Sequence, residues 1–280
     1  MPKPWVATMN NLLFYLSQPF AQHALLAAAI VAIICGLVGP FVIRRNMAFA
    51  VHGISELAFT GAAAGLLFLS NALLGAIIGA LIVAIAIGLL GVREKERDSS
   101  IGVILAFGLG LGVLFLSYYR GFATAATNIL FGNVYGVSST QLGFLIGICV
   151  LVVVGLVVMY RPLQFASIDP QVAAARGVPV RALGIAFLIL LALTVTAAAQ
   201  IVGTLLVLSL AITPAAAAMR LSARPAIVAS LSVGFALIAG AGGVLLSLAS
   251  GTIKPSVFVT FLSFLIYFLA RFVIAPLRSR

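Results

Sequence analysis

One histidine and one acidic residue fall inside a long apolar run, where their chemistry needs an explanation. His52 and Glu56 lie in the apolar run of residues 48–69, and side chains four residues apart project from the same face of a helix. An ionisable group inside a bilayer costs about 2.5–3.5 kcal/mol on insertion scales, which makes it a hypothesis of function. Imidazole and carboxylate are ligands that Zn²⁺, Mn²⁺ and Fe²⁺ accept. The pair is therefore predicted to supply part of the ligand shell of a divalent transition metal.

Two other interpretations of the pair stay open. A histidine and a glutamate can form a mutual hydrogen bond that only holds helices together, and they can relay protons in a secondary transporter. His23 is the only other histidine, and we expect it at the outer edge of the first apolar segment as an interfacial residue. Cys35 and Cys149 lie inside apolar segments far from any motif, so they indicate neither a disulfide framework nor a thiolate metal cluster.

The elements that must position these side chains are membrane-spanning helices. Of the 280 residues, 64% are hydrophobic and 8% are charged, whereas about a quarter of the residues in a soluble domain are charged. A bilayer-spanning helix needs about 20 mostly apolar residues, and such stretches follow one another almost from end to end. No long hydrophilic segment is left for a soluble catalytic domain. Residues 1–280 are therefore predicted to form one all-α transmembrane domain.

Apolar runs bounded by charged residues, proline or glycine predict a bundle of eight or nine spans. The nine segments are residues 22–43, 48–69, 71–92, 101–119, 142–160, 182–200, 202–220, 226–249 and 256–275. The stretch 182–220 contains no charged residue between Arg181, which precedes it, and Arg220 at its end. At about 1.5 Å per residue it is too long for one span. We therefore place a break near Gly203.

The distribution of basic residues predicts the orientation, because basic residues that flank spans are enriched on the cytoplasmic side. With nine spans and the N-terminus outside, thirteen basic residues fall inside: Arg44, Arg45, Arg93, Lys95, Arg97, Arg161, Arg176, Arg181, Arg220, Arg224, Arg271, Arg278 and Arg280. Three fall outside: Lys3, Arg120 and Lys254. The prediction is a multi-pass protein of the plasma membrane with an outside N-terminus and a cytoplasmic C-terminus. The net charge of +11 is then a matter of topology and not of nucleic-acid binding.

The longest predicted cytoplasmic loop, residues 161–181, carries the start and stop signals of a short helix. Asp169 suits the N-cap, Pro170 suits the first helical position, and Gly177 can take the left-handed conformation that ends a helix. Such a helix is suited to contact a partner, and the alternative is a connector that lies on the membrane. None of the three lysines follows a glycine, so the chain has no GK[ST] phosphate-binding loop. If ATP drives transport, a separate chain must bind it, and the short helix is the expected docking point.

Several sequence blocks resemble, in the same order, those of the permease subunits of bacterial zinc- and manganese-type metal ABC importers. The blocks are Arg45-Asn-Met-Ala-Phe with Gly61-Ala-Ala-Ala-Gly65, Asp98-Ser-Ser-Ile-Gly102-Val, Leu130-Phe-Gly-Asn133, Asp169-Pro-Gln-Val-Ala-Ala-Ala-Arg-Gly177-Val-Pro, and Ile201-Val-Gly-Thr-Leu-Leu-Val with Pro214-Ala-Ala-Ala-Ala. Each block alone is weak, because it consists of small and apolar residues. Five blocks in the right order, over about 180 residues, make the resemblance specific.

The resemblance implies a transport subunit that is not itself an enzyme. It implies a homodimer of permeases, two ATP-binding cassette subunits at the cytoplasmic face, and an extracytoplasmic metal-binding protein that delivers Zn²⁺ or Mn²⁺. The metal would pass His52 and Glu56. The residues implied in coupling to the ATPase are Asp169, Pro170, Arg176, Gly177 and Arg181. No intrinsic cofactor is implied, since ATP binds to the partner subunits.

Alternatives to this function are a permease for a metal chelate or another small solute, and a proton-coupled secondary transporter. An intramembrane metalloprotease is disfavoured because the sequence lacks an H-E-x-x-H motif and has two histidines in all.

The sequence departs from the family's pattern at two places. Family members commonly place an aspartate, and a histidine four residues later, where this sequence has His52 and Glu56. A metal-compatible pair is kept in reverse order, which supports a pathway role and weakens any transfer of metal preference. Lys254 stands where the family often has an acid. A cation at the outer mouth should repel a metal unless it is paired or turned away.

Overall fold

The computed structural model of the chain describes residues 14–90, 94–119, 122–204 and 206–274. Within these residues the regular secondary structure is helical, without a strand, which confirms the predicted all-α class. The helices are α1 (Pro19–Arg44), α2 (Ala48–Ala64, continued by a π-helical turn Gly65–Leu69), α3 (Ala72–Leu90), α4 (Glu94–Ser117), α5 (Phe122–Phe131), α6 (Ser139–Ile168), α7 (Pro170–Ala175), α8 (Val180–Val202), α9 (Val207–Ala211), α10 (Thr213–Leu221), α11 (Pro225–Ser250) and α12 (Pro255–Leu269, continued by a π-helical turn Ala270–Ile274). A short 3₁₀ turn, Val134–Gly136, lies between α5 and α6.

Seven of these helices are long and apolar enough to cross a bilayer, namely α1, α2, α3, α6, α8, α11 and α12. Two shorter apolar stretches, Ile101–Ser117 and Val207–Leu221, take the places of the fourth and seventh predicted spans. Within the described residues, the expected eight or nine spans are therefore seven full-length candidates and two shorter helical stretches.

Small residues let the central helix α1 approach its neighbour α11 closely. Ala24 and Ala28 are fully buried on α1. A Cβ added to Gly36 would overlap the backbone of Val233, and a Cβ added to Gly240 would press on Ala28. Close backbone approach of this kind replaces the hydrophobic effect as the main source of helix association in lipid.

Four glycines form the contact between α2 and α3. Gly61 and Gly65 on α2 face Gly75 and Gly79 on α3, and a Cβ on any of them would overlap the backbone of the opposite helix. Both pairs have the small-xxx-small spacing that lets two helix backbones approach closely. The contact fixes α2, the helix that carries His52 and Glu56, against α3.

The outer surface of the bundle is apolar, as a lipid-facing surface must be. On α6, Val150, Val154, Val157 and Val158 are between 54% and 74% exposed. On α12 the exposed large side chains include Phe261 at 60%. These two helices therefore present broad apolar faces away from the core.

Two arginine side chains donate hydrogen bonds that join helix ends at one side of the bundle. Arg44 Nη1 donates a hydrogen bond to Gln164 Oε1 (2.8 Å), which joins the ends of α1 and α6. Arg181 Nη2 donates to the carbonyl oxygen of Leu89 (3.1 Å), which joins the end of α3 to the start of α8. We call this side the basic end. Of the basic residues in the sequence count, Lys3, Arg93, Arg120, Arg278 and Arg280 lie outside the described residues.

The predicted loop 161–181 is shorter than expected. Helix α6 continues to Ile168 and contains Pro162, so residues 161–168 are helical and the connection consists of α7 and its flanks. A proline inside a helix removes one backbone hydrogen bond and clashes with the carbonyl four residues earlier. In a helix of 30 residues that local defect did not end the helix, and the sequence signal alone was misleading.

The glycine contact predicts a steric effect that a matched control can isolate. We expect Gly75→Ala to lower the stability of the folded chain by about 1–3 kcal/mol, because the added methyl group must push α2 and α3 apart. Gly143→Ala should be neutral or slightly stabilising, since a Cβ at Gly143 meets no atom within 4 Å and alanine favours a helix. Thermal unfolding of both variants in one detergent measures the difference. Equal midpoints for Gly75→Ala and wild type would contradict the packing.

Candidate functional site

Helix α2 places His52 and Glu56 one turn apart on one face. Glu56 is 2% exposed, and its Oε2 atom is buried without a hydrogen-bond partner. His52 is half-buried, and its Nδ1 atom is also buried without a partner. Buried polar atoms are nearly always hydrogen-bonded, because leaving them unpaired costs about 1–3 kcal/mol or more. The pair therefore keeps two potential ligand atoms unused within the described part of the chain.

A mutual hydrogen bond between His52 and Glu56, one of the three interpretations of the sequence, does not involve the two buried atoms Nδ1 and Oε2. The unpartnered atoms, His52 Nδ1 and Glu56 Oε2, are one on each side chain. A pair whose role was to tie helices together would use such atoms in bonds to each other or to a neighbouring helix. Phe49 lies beside the imidazole, with a ring-centroid distance of 6.4 Å, and is 37% exposed. The His52 side of this face thus lies at the edge of the chain.

Two short hydrogen bonds fix α2 at the level of Glu56. Ser55 Oγ donates to the carbonyl oxygen of Thr204 (2.6 Å), which joins α2 to the segment between α8 and α9. Thr60 Oγ1 donates to the carbonyl oxygen of Gly108 (2.6 Å) on α4. Because these bonds lie on either side of Glu56 along α2, they hold the turn that carries the carboxylate in a defined orientation.

The segment bonded by Ser55 is a break in the helical structure. Gly203, with a φ of 95°, ends α8, as the break predicted near this residue requires. The backbone N–H of Thr204 donates to the carbonyl oxygen of Ile129 (3.2 Å), and the N–H of Asn133 donates to that of Gln200 (3.2 Å). The end of α5 therefore supplies partners that the broken helix lacks, which is the condition for irregular backbone within a membrane protein.

Ser55 and Thr204 support the site and were not predicted from the sequence. Ser55 precedes the acid by one position and was not distinguishable from other small residues of α2. The break itself was visible as a glycine in an overlong apolar stretch. The partner segment carried a weaker signal, since residues 128–133 place Asn128 and Asn133 around an otherwise apolar helix end.

The pair provides at most two protein ligands from one chain. Among the described residues, no group of three or more His, Cys, Asp and Glu side chains is close enough to hold a metal ion. Zn²⁺ usually takes four ligands, so a full shell at His52 and Glu56 would need water or a second copy of the chain.

The short helix α7 forms as the sequence predicts. Asp169 Oδ1 accepts hydrogen bonds from the backbone N–H groups of Gln171 and Val172, both at 3.0 Å. Pro170 occupies the first turn, and Gly177 has a left-handed φ of 81° just beyond the C-cap. The helix, its caps and its start therefore agree with the sequence signals.

The predicted coupling residues lie together on the basic end, with one difference in role. Pro170, Arg176 and Gly177 are exposed on and beside α7, and Asp169 is half-buried at its N-cap. Arg181 is exposed but also donates to the carbonyl oxygen of Leu89 at the end of α3. It therefore links the α7 region to the transmembrane bundle.

Comparison with known proteins gives one family and consistent relatives. Residues 17–274 match the model of a family described as the ABC 3 transport family. The manganese transport system membrane protein MntC of Halalkalibacterium halodurans is 36% identical over 244 residues, which cover 85% of this chain and 84% of that protein. The high-affinity zinc uptake system membrane protein ZnuB of Haemophilus influenzae is 30% identical over 226 residues, which cover 80% and 86%. Among solved structures, PsaBC from Streptococcus pneumoniae in complex with Fab matches with a TM-score of 0.85 at 26% identity, covering 95% of this chain and 96% of that chain.

The N-cap of α7 predicts a local change in stability. We expect Asp169→Ala to destabilise α7 by about 1 kcal/mol, because it removes the acceptor for two backbone N–H groups. Hydrogen exchange measured by mass spectrometry should then be faster in the peptide that contains Gln171 and Val172. Ser138→Ala removes the N-cap of α6 instead and should leave that peptide unchanged. Equal exchange in the Asp169 variant and wild type would contradict the assigned cap.

Proposed function

The chain belongs to the ABC 3 transport family, and from that premise we propose that it is the membrane-spanning subunit of an ATP-driven importer for a divalent transition metal ion. Relatives whose names assign them to manganese and to zinc transport cover more than three quarters of the chain. They favour this function over a permease for a chelate or another small solute and over a proton-coupled secondary transporter. The cargo is proposed to be Mn²⁺ or Zn²⁺.

The proposal rests on His52 Nδ1 and Glu56 Oε2, which lie on one face of α2 and are both buried without a hydrogen-bond partner. An ion that leaves its delivering protein must exchange water or protein ligands for new ones, and His52 Nδ1 and Glu56 Oε2 are available for that exchange. Imidazole suits Zn²⁺, and carboxylate suits Mn²⁺. Two ligands bind more weakly than a closed four-ligand shell, and a transport site must release its ion.

A second copy of the chain would complete the shell. Two protomers whose α2 faces meet at a two-fold axis would present two imidazoles and two carboxylates to one ion, the usual ligand number for Zn²⁺. The half-buried His52 and the exposed Phe49 beside it support an α2 face that another surface covers. In this arrangement the ion passes along the axis between the two copies.

We further propose that the basic end faces the cytoplasm and receives two ATP-binding cassette subunits. The positive-inside rule favours this orientation, which places the N-terminus outside and the C-terminus inside in a bacterial plasma membrane. The short, exposed helix α7 is suited to bind in a groove of a partner subunit. Arg181 connects the α7 region to the end of α3 through its hydrogen bond to Leu89. The glycines between α3 and α2 connect α3 in turn to the helix that carries His52 and Glu56. An extracytoplasmic metal-binding protein would deliver the ion at the opposite end.

Metal uptake tests the role of the pair His52 and Glu56. In cells that express the chain with its ATPase, we expect His52→Ala and Glu56→Ala each to lower accumulation of one of Zn²⁺, Mn²⁺ and Fe²⁺ by at least about tenfold, the scale of losing a group that supports a metal site. His23→Ala removes the other histidine and should leave uptake unchanged. Normal accumulation of all three ions in both variants, at matched expression, would reject His52 and Glu56 as the metal pathway.

The docking role of α7 is tested by reversing one exposed charge. We expect Arg176→Glu to reduce the amount of ATPase that co-purifies with the chain, because it changes the charge of the contact surface by two units. Arg224→Glu makes the same change in the connection between α10 and α11 at the basic end and serves as the control. Equal ATPase recovery with the two variants and wild type would show that α7 is not the docking element.

A further inference from the structure

A second polar feature of the chain lies away from His52 and Glu56. A cavity of about 310 Å³ lies between the end of α2, the start of α3, the end of α5, the start of α6 and the end of α8. Its lining is small and apolar apart from hydroxyl and amide side chains, and the lining includes no charged residue. The polar side chains of its lining include Asn128, Asn133, Gln200 and Thr204.

One buried polar atom at the cavity has no hydrogen-bond partner among the described residues, and three exposed or half-buried amide side chains lie beside it. Thr204 is 2% exposed, and its Oγ1 atom is buried without a hydrogen bond. The backbones of Asn133 and Gln200 are bonded to each other, but the hydrogen bonds of the described residues do not use their side-chain amides or that of Asn128. The buried Thr204 hydroxyl needs water or a ligand to satisfy it, and the nearby amide groups are available to the same occupant.

The surrounding helix ends favour a positive ligand. Helix α2 with its π-helical turn, helix α5 and helix α8 all have their C-termini at this cavity, and a helix C-terminus carries a negative partial charge. In transporters, the C-terminal ends of interrupted helices and the carbonyl groups of unwound backbone coordinate cations. Here α8 is interrupted directly at the cavity, after Gly203. The carbonyl oxygens of Ile129 and Gln200 each accept one backbone N–H, and each keeps a second lone pair that a cation can use.

Two helix N-termini also lie at the cavity, and their positive ends are already occupied. Asn71 Oδ1 accepts a hydrogen bond from the N–H of Leu74 at the start of α3 (3.1 Å). Ser138 Oγ accepts from the N–H of Gln141 at the start of α6 (3.2 Å). Because side chains of the chain itself cap both, they offer less to an anion than uncapped helix starts would.

The size of the cavity fits an ion with its water. Six water molecules, the octahedral shell of a hard divalent cation, take up about 180 Å³ at the roughly 30 Å³ of each molecule in the liquid. The cavity of about 310 Å³ holds that shell and leaves room for protein contacts. Amide and hydroxyl oxygens replace water one for one without adding charge, so such a site binds weakly and exchanges its ion readily.

We propose that this cavity binds a divalent cation that keeps part of its water shell, held by side-chain oxygens of Asn128, Gln200 and Thr204. The choice of a divalent ion among cations rests on the proposed transport function. The site is separate from His52 and Glu56, because Ala58 lines the cavity and lies about 160° around α2 from Glu56, at 100° per residue. The two are joined through Ser55, whose hydroxyl donates to the carbonyl of Thr204 (2.6 Å).

The test measures Mn²⁺ binding to the purified full chain after the other site has been removed. In a His52→Ala, Glu56→Ala background, free Mn²⁺ is followed by its electron paramagnetic resonance signal during titration. Gln200→Glu adds a carboxylate to the cavity and should tighten binding at least about tenfold, because ligand charge controls the affinity of oxygen sites. Asn128→Asp makes the same kind of change on an exposed lining residue, so it tests the site even if Gln200→Glu does not fold. Gln171→Glu adds the same charge on the exposed α7 helix and should leave binding unchanged.

The outcomes separate this proposal from the transport function. Tightening in Gln200→Glu or Asn128→Asp, and weakening in Thr204→Val, would support the cavity site. Unchanged Mn²⁺ binding in folded, monodisperse Asn128→Asp and Thr204→Val proteins would overturn it, even if uptake by the otherwise unaltered chain depends on His52 and Glu56. Conversely, tightened binding in a protein that carries no divalent ion into cells would support the cavity and reject the transport function.

Discussion

In hydrocarbon every backbone N–H and C=O group needs a partner inside the protein. The helix is interrupted after Gly203, and the hydrogen bonds that satisfy this interruption position α5 and α2 against it. The end of α5 bonds to the broken segment through Ile129 and Asn133. Ser55 of α2 donates to the carbonyl oxygen of Thr204. Because that bond lies next to Glu56 in the sequence, the need to satisfy one unwound carbonyl also fixes the turn that presents the acid.

The orientation of that turn matters for chemistry because the carboxylate of Glu56 is buried. A carboxylate that is 2% exposed and has an unpartnered oxygen carries a cost of desolvation, which a bound cation or a bound proton offsets. Packing holds the arrangement in place: the four glycines between α2 and α3 bring the two backbones into contact, and Thr60 ties α2 to α4. A rigid helix with two unused ligand atoms is suited to accept and release an ion without closing around it.

The sequence predicted those features that follow from composition and local capping. Length and hydropathy identified the helical bundle, the i, i+4 spacing identified His52 and Glu56, and Asp169 with Gly177 marked both ends of α7. It also predicted the break near Gly203, since no single span could hold the stretch between Arg181 and Arg220.

What the sequence could not predict depends on contacts between distant segments. The continuation of α6 through Pro162 depends on the surrounding bundle, because proline alone indicates a helix boundary. The bond from Ser55 to Thr204 joins residues separated by 149 positions, and neither residue type marks such a contact. The packing of α5 against the broken segment was missed for the same reason, and with it the amide-lined cavity.

Pulsed electron paramagnetic resonance of Mn²⁺ bound to the full chain detects the nitrogen nuclei of a metal-bound imidazole, and it therefore shows whether His52 binds the ion. We expect a nitrogen coupling in wild type that disappears in His52→Ala and persists in His23→Ala. A spectrum without nitrogen coupling in wild type, or one that His52→Ala leaves unchanged, would contradict the assignment of His52 and Glu56 as the metal pathway.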